Sequence, residues 1–356
     1  MNMMNVCILF GGVSPEHEVS LRSAESVLNN LDVDKYRIFP VGITKEGKWI
    51  LFRGNDYSLL PTGQWEHFAD NCPAVISPVR NEGLLCFLDD GVVCEHIDVV
   101  FPVLHGENGE DGSVQGLLQL SGIPYVGSHI SSSAVAMDKT LTKLVMDKAG
   151  IPQAAWKLVR NSELDHRMDA IVEAVEAEFS YPVFVKPAGT GSSVGVSKVS
   201  DRDALETALS HAGKFDEKIL VEEFIPGAEI EVAVMGNSSP VASICGEIDS
   251  GAEFYDYDAK YVTDTSVAYI PARISNSTAE QIREYAVKAY NAIGCQGLSR
   301  VDFFVTFSDE RIVFNEINTL PGFTSISMYP KLFEASGIAY SHLIDRLLEY
   351  AMEACQ

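Results

Sequence analysis

LSRVDFFVTFSDERIVFNEIN, residues 298–318, is the stretch on which the reading of this chain turns. It divides into two strand-like runs, LSRVDFFVTF and RIVFNEIN, separated by the turn Ser308-Asp309-Glu310. Side chains alternate faces along a strand, so Arg300 and Asp302 share a face of the first run, as do Glu316 and Asn318 of the second. With the turn centred on Asp309, an assumed register, Asp302 falls opposite Glu316 and Arg300 opposite Asn318. Two facing carboxylates among Val301, Phe303, Phe314 and Ile317 repel and are costly to ionise unless a cation lies between them. Mg2+ takes oxygen ligands and usually keeps phosphate oxygens in its shell, so it answers that need, with the Asn318 amide oxygen as a third ligand. A solvated strand face on which Arg300 pairs with one acid fits the alternation equally well. The rest of the chain has to decide.

Working outward, the region after Pro226-Gly227 carries strands, a polar segment near 251–264, and a helix introduced by Ser277-Thr278-Ala279-Glu280, which fits a capping box. Upstream, the pattern changes at Ser131. Residues 138–148 are amphipathic and helical, closed by Gly150 and Pro152. There follow strand YPVFVKP, loop AGTGSSVG (188–195), strand GVSKV, a helix over about 203–212 and strand KILVEEF. Short turns between these strands predict an antiparallel α+β layer. The N-terminal part opens with VCILF as a buried strand and Gly11-Gly12 as a turn. Ser14-Pro15 then reads as the N-cap and first position of a helix running to Leu31, with Leu21, Ala24, Val27, Leu28 and Leu31 as its apolar stripe. This is a Rossmann-like beginning that sets Glu16 and Ser20 near the mouth of a sheet. A second apolar strand, DVVFPVL, ends at His105 before the glycine-rich GENGEDG. With 356 residues, and roughly 100 to 150 per domain, three domains are expected: 1–128, 129–224 and 225–356. A long insertion around 52–95 has no role that the sequence suggests.

Composition bounds the function. With 46% apolar and 21% charged residues the chain reads as a soluble globular protein. A formal charge of -24, from 50 acidic and 26 basic residues, argues against a nucleic-acid or anionic-membrane surface. A small anionic ligand needs only a few local cations, which directs attention to particular lysines. The N-terminus has no basic leader and the run Val6–Phe10 is too short for a signal core or membrane span, so a cytoplasmic location is expected. Seven cysteines scattered from Cys7 to Cys355 without a CxxC pair predict reduced, buried thiols rather than disulfides or a zinc site.

Two lysines stand out. Lys186 ends a strand and precedes AGTGSSVG, whose glycines and hydroxyls suit backbone N–H groups gathered around phosphates, although such loops are also common as plain hairpin turns. Lys139 opens the middle helix, where it adds a second cation beside the positive end of the helix dipole. As a lone exposed lysine it would carry no meaning.

Taken together, these features resemble the ATP-grasp superfamily, in which a nucleotide lies between two α+β domains under a glycine-rich loop. The motifs GGVSPEHEVS, LHGENGEDGSVQG, MDK, KPAGTGSSVGVSKV, EFYDYDAKY, GLSRVDFF and NEINTLPGFTSIS fall in the order seen in D-alanine:D-alanine ligases, and the match covers residues 4–350. The resemblance implies an α/β and α+β fold: an N-terminal Rossmann-like α/β domain and two α+β domains sandwiching ATP. It implies ATP-dependent ligation of two D-alanine molecules through a D-alanyl phosphate, for peptidoglycan precursor synthesis, by a homodimer that touches neither nucleic acid nor membrane. Mixed ligases that accept D-serine or D-lactate are the alternative, and a nucleotide-binding regulator without catalysis is a remoter one. Lys139 and Lys186 would hold ATP phosphates, Ser192 and Ser193 would lie in the loop that closes over them, and Ser193 and Lys260 would be among the ATP-binding residues. Glu222, Glu223, Phe224 and Ile225 would read adenine, and Glu229 the ribose. Asp302, Glu316 and Asn318 would hold two Mg2+ ions, which Mn2+ can replace. Glu16, with Val19 and His105 nearby, would take the ammonium of the first D-alanine. Ser327, beside Met328, would receive the carboxylate of the second. Arg300 and the Gly322 N–H would form the oxyanion site, and Tyr261 would bond Ser192 and mark a D-alanine acceptor.

Overall fold

A computed structural model of the chain describes residues 3–88, 91–191, 194–249 and 267–354, arranged around three sheets. The first contains β1 (Met4–Gly11), β2 (Tyr36–Ile43) and β7 (Val99–Leu104), with β1 parallel to both neighbours. Val6 to Phe10 are fully buried, as a central parallel strand covered on both faces requires, and this explains the unbroken apolar run. Helix α1 (His17–Asn30) starts later than Ser14-Pro15 suggests. Residues 14–16 form a turn instead: the Glu16 N–H donates to Ser14 Oγ at 3.1 Å and the His17 N–H to the Ser14 carbonyl at 3.2 Å. Ser14 therefore caps the turn and Glu16 becomes the residue at the helix entrance.

The insertion proves to be structural. β3 (Trp49–Leu51), β4 (Cys72–Ile76), β5 (Leu84–Leu88) and β6 (Val92–His96) extend the sheet with antiparallel pairing to the order β6-β5-β4-β3-β2-β1-β7. Trp65, from the loop between β3 and β4, is wholly buried with its ring edge-on to Phe10 at 5.0 Å. It lies so close to Gly42 of β2 that a Cβ there would stand 2.2 Å from the indole. Gly42→Ala is accordingly expected to destabilise the protein by about 1–3 kcal/mol through overpacking, read as a lower urea midpoint. An unchanged midpoint would mean that the insertion yields without cost.

One expectation is corrected here. Cys86 and Cys94 are directly opposed in the β5–β6 pair and joined as a disulfide, whereas Cys7, Cys72, Cys245 and Cys295 are buried thiols. Opposed residues of adjacent antiparallel strands bring their Cβ atoms together at any loop length, so the absence of CxxC spacing carried no information about this pair.

After α2 (Ser113–Ser121) and α3 (Ile130–Met137), helix α4 (Lys139–Ala149) begins and ends as its sequence predicts. Asp138 Oδ1 accepts from the N–H groups of Thr140 and Leu141, and Gly150 takes the left-handed conformation at φ 65°. β8 (Trp156–Arg160), β9 (Val183–Pro187), β10 (Ser197–Val199) and β11 (Lys218–Glu223) form an antiparallel sheet in the order β10-β9-β11-β8. Helices α5 (Asn161–Glu176) and α6 (Arg202–Ala212) share its core through Val172, Leu205 and Leu209 against Ile219 and Val221. This is the antiparallel α+β layer that the sequence predicts.

The third sheet has the order β14-β13-β12-β15-β16, from β12 (Gly227–Gly236), β13 (Val241–Asp249), β14 (Val267–Tyr269), β15 (Gly297–Thr306) and β16 (Ile312–Asn318). Ile230, Val232, Val234, Val301 and Phe303 share a core with α7 (Asn276–Ile293) and with Met146 of α4. Ala233 and Met235 point the other way, to the core that contains α8 (Met328–Ala335), α9 (Tyr340–Ala354) and residues of α1. The cap of α7 is Ser275, not Ser277: Ser275 Oγ accepts from the Thr278 N–H at 3.2 Å. Glu310, from the β15–β16 turn, takes the Ser275 and Thr278 hydroxyls in place of the helix's own Glu280.

The hairpin register is the assumed one, with Arg300 opposite Asn318 and Asp302 opposite Glu316. A bulge then shifts the pairing, so that Phe303 meets Phe314. It has a packing reason: Phe314 and Ile317 are an odd number of residues apart, and strict alternation would put them on opposite faces, yet both enter the same core.

Candidate active site

A cleft of about 590 Å3 lies between the second and third sheets, within the size range of small-molecule sites. The chain crosses from β11 to β12 along its wall, so Glu222 to Glu229 line it continuously. Phe184, Ala154, Phe304, Phe314 and Ile317 add apolar surface, while Lys139 and Lys186 bring positive charge. Lys139 Nζ donates to the Thr190 carbonyl at 2.6 Å, which ties α4 to the glycine-rich loop. Gly189 N–H donates to Asp216 Oδ2 at 2.7 Å and holds the base of that loop. Of the residues expected to contact nucleotide or metal, Lys139, Lys186, Glu222, Glu223, Phe224, Ile225, Glu229, Glu316 and Asn318 line the cleft. Ser192, Ser193, Lys260 and Tyr261 lie outside the described residues.

Lys186 has a protein partner as well as a place in the cleft wall. Its Nζ stands 2.6 Å from Glu222 Oε2, and Lys143 Nζ stands 2.5 Å from Oε1 of the same carboxylate. Burial by itself would raise Glu222, but the two ammonium groups outweigh it and hold the carboxyl down at about 2. Lys143 is absent from the sequence-based expectations. The available signal was its position four residues after Lys139, on the face of α4 that also buries Thr142 and Met146.

Beneath the cleft, Arg300 Nε donates to Asp302 Oδ1 at 2.8 Å and its Nη2 to Oδ2 at 2.7 Å. Glu231 Oε2 lies 3.2 Å from the same Nε. Burial opposes the charge on Arg300, yet Asp302 and Glu231 keep it protonated well above the ordinary arginine range. The Asn318 amide nitrogen donates to Asp302 Oδ2 at 3.1 Å, so the amide oxygen expected as a ligand faces away from that carboxylate. Glu231 is a second residue the sequence reading missed. It stands opposite Asp302 in the β12–β15 register, and Glu229, Glu231 and Asp302 offer carboxylate oxygens within 4.8 Å of one another. The alternation EIEVAV on a central strand was the signal.

The first domain meets the far end of this region. A Cβ at Gly106 or Gly191 would fall 2.4 or 3.2 Å from Glu16 Oε2, so Glu16 lies against both glycine-rich loops. His105, buried, donates from Nδ1 to the Leu320 carbonyl at 3.1 Å, and its Nε2 lies 3.0 Å from Ser23 Oγ, which also accepts from the Phe323 N–H at 3.2 Å. Glu110 reaches the cleft lining beside His105, where burial raises its carboxyl; His105 opposes the rise and Glu16 adds to it. Ser327 Oγ accepts from the Thr324 N–H at 3.0 Å and caps the loop that contains Gly322. Val19 and Met328 are core residues rather than lining ones, 3% and 5% exposed. Among the described residues no helix is long and apolar enough to cross a membrane.

Two α+β layers closing on a cleft, with a glycine-rich loop over one wall and an α/β domain at its end, define the ATP-grasp fold. A family model described as D-ala D-ala ligase N-terminus matches residues 5–128, and one described as D-ala D-ala ligase C-terminus matches residues 145–349. A D-alanine–D-alanine ligase of Acetivibrio thermocellus is 50% identical, covering 98% of this chain and 96% of the relative. Among solved structures, the VanG D-Ala:D-Ser ligase from Enterococcus faecalis superposes with a TM-score of 0.89 at 38% identity, over 98% of this chain and 100% of that one. The D-alanine-D-alanine ligase from Coxiella burnetii gives 0.86 at 34% identity, over 100% and 96%. The chain belongs to the D-alanine–D-alanine ligase family.

Proposed function

We propose that the protein joins two D-alanine molecules at the expense of ATP, supplying D-alanyl-D-alanine for peptidoglycan precursors in the cytoplasm, as a homodimer. The observation that carries this reading is the 50% identity to a D-alanine–D-alanine ligase across nearly the whole of both chains, with Lys139, Lys186, Arg300, Asp302, Glu316 and Asn318 all present. A carboxylate does not accept an amine at a useful rate because oxide is a poor leaving group. Transfer of the ATP γ-phosphoryl group to the first D-alanine forms an acyl phosphate and breaks the bond to ADP. The second amine then attacks the acyl carbon, and phosphate departs.

Each group of residues has a task in that sequence. Lys139 and Lys186 hold phosphate oxygens from the cleft wall, and the run from Glu222 to Ile225 and Glu229 meet the adenosine. Glu16 receives the first ammonium group and Ser327 the second carboxylate. Arg300 and the Gly322 N–H donate to the oxyanion of the tetrahedral intermediate. The donor set also fits a divalent cation: Glu229, Glu231 and Asp302 bring carboxylate oxygens within 4.8 Å of one another, Glu316 stands opposite Asp302, and Asp302, Glu231 and Glu316 together outnumber the one guanidinium they act on, Arg300. Asp302, Glu316 and Asn318 are the residues proposed to hold Mg2+. Bound there, Mg2+ would neutralise charge on the transferring phosphoryl oxygens.

A second reading, ligation of D-alanine to D-serine, is favoured by the likeness to the Enterococcus faecalis D-Ala:D-Ser ligase. The test is phosphate release by purified protein with ATP, Mg2+ and D-alanine, the product being identified by mass, alone and against equal D-serine or D-lactate. D-alanyl-D-alanine as the main product in every mixture is expected. A mixed product dominating would overturn the acceptor, and no D-alanine-dependent release would overturn the ligase reading.

A further inference from the structure

We propose that Lys143 is a positioning residue: it holds the Glu222 carboxylate from behind the cleft so that Lys186 can be given over to an anionic ligand. The inference rests on the reading of the cleft as a nucleotide site. Lys143 is 2% exposed and does not line the cleft, whereas Lys186 and Glu222 both do. Each lysine takes a different oxygen of the one carboxylate, at 2.5 and 2.6 Å, so the trio carries one net positive charge. That surplus is what an anion entering the cleft meets. If Glu222 had Lys186 alone, the pair would be neutral. Drawing Lys186 toward a phosphate would then strand a carboxylate that is 5% exposed, a costly state for any buried charge. With Lys143 fixed on Oε1, Lys186 can exchange Oε2 for a ligand oxygen while the carboxylate keeps a partner.

The same geometry distinguishes this role from simple packing. Removing the Lys143 charge should weaken anion binding because Glu222 then captures Lys186, and removing the Glu222 charge as well should restore it. A packing role predicts no such reversal.

The experiment is calorimetric titration of the full-length protein with inorganic triphosphate, which has no base or ribose to touch Glu222, and in parallel with ATP. Lys143→Met is expected to weaken triphosphate binding about tenfold or more, and Lys143→Met with Glu222→Gln to return it to within about threefold of wild type. Lys143→Arg, which keeps the charge, is expected to remain within about threefold of wild type. Lys143→Gln, with a polar end in the same place, should weaken binding as Lys143→Met does, and it replaces that variant if thermal unfolding finds the methionine form unfolded. Binding of triphosphate by either neutral variant as tightly as by wild type, or a double variant as weak as the single, overturns the inference. Wild-type protein that binds neither triphosphate nor ATP would instead overturn the nucleotide reading of the cleft.

Discussion

Glu316→Gln is expected to lower kcat by at least about a hundredfold and to raise the Mg2+ concentration for half-maximal rate by a similar factor, since even outer partners of metal ligands typically contribute ten- to hundredfold. The substitution keeps the shape and removes one charge. Glu316 lines the cleft and stands opposite the fully buried Asp302, so in metal-free protein it adds a further negative charge where Asp302 and Glu231 already share the one guanidinium of Arg300. The melting temperature without Mg2+ should therefore be unchanged or higher in the variant, while the stabilisation that wild type gains on adding Mg2+ should shrink. These opposite signs separate a metal-holding role from a structural one. Steady-state phosphate release across an Mg2+ series, with thermal unfolding at each point, reads both. A variant whose Mg2+ response and kcat stay within about twofold of wild type, far below the outer-partner effect, would remove Glu316 from the site.

The hairpin was legible because its information is local. A turn and a two-residue period determine which side chains share a face, and Arg300, Asp302, Glu316 and Asn318 fall where that parity puts them. The bulge after Asp302 was not read, although Phe314 and Ile317 at odd spacing already demanded it. What escaped depends on contacts between elements. Glu231 gains its meaning from a neighbour on another strand, Asp302, 71 positions away in the chain. Lys143 gains its meaning from Glu222 of β11, and as a lysine on an amphipathic helix it looks like any solvated cation until the helix is docked. The cap of α7 was misplaced for the same reason. Ser275 is preferred to Ser277 because Glu310, from the hairpin turn, reaches its hydroxyl. The insertion had no periodic pattern to announce it, and only the fit of Trp65 against Phe10 and Gly42 reveals that it completes the first core. Local chemistry identified which residue types matter, and tertiary pairing chose among them.

Arg300 shows how the two levels combine, and its substitutions should separate its two possible tasks. Arg300→Met leaves Asp302 and Glu231, both buried, without their shared guanidinium, and removing one member of a buried ion pair typically costs about 3–5 kcal/mol. The methionine variant should lose that much stability in urea, and part of it should return on adding Mg2+, which binds the acids left behind. Arg300→Lys restores a charge but cannot reproduce the two-pronged contact with Asp302 or a planar donor toward the cleft. It should fold with most of the wild-type stability. If Arg300 were only a counter-charge, the lysine enzyme would work nearly as well as wild type. If it donates to the tetrahedral oxyanion, as proposed, kcat should fall by about 10^2–10^3 with little change in KM for ATP, since a donor aimed at the transition state is lost while the nucleotide contacts remain. Measured kcat and KM for the lysine variant, beside the urea midpoints of both, decide between the two. The decisive feature is that the stability effect follows the charge whereas the catalytic effect follows the geometry of the guanidinium.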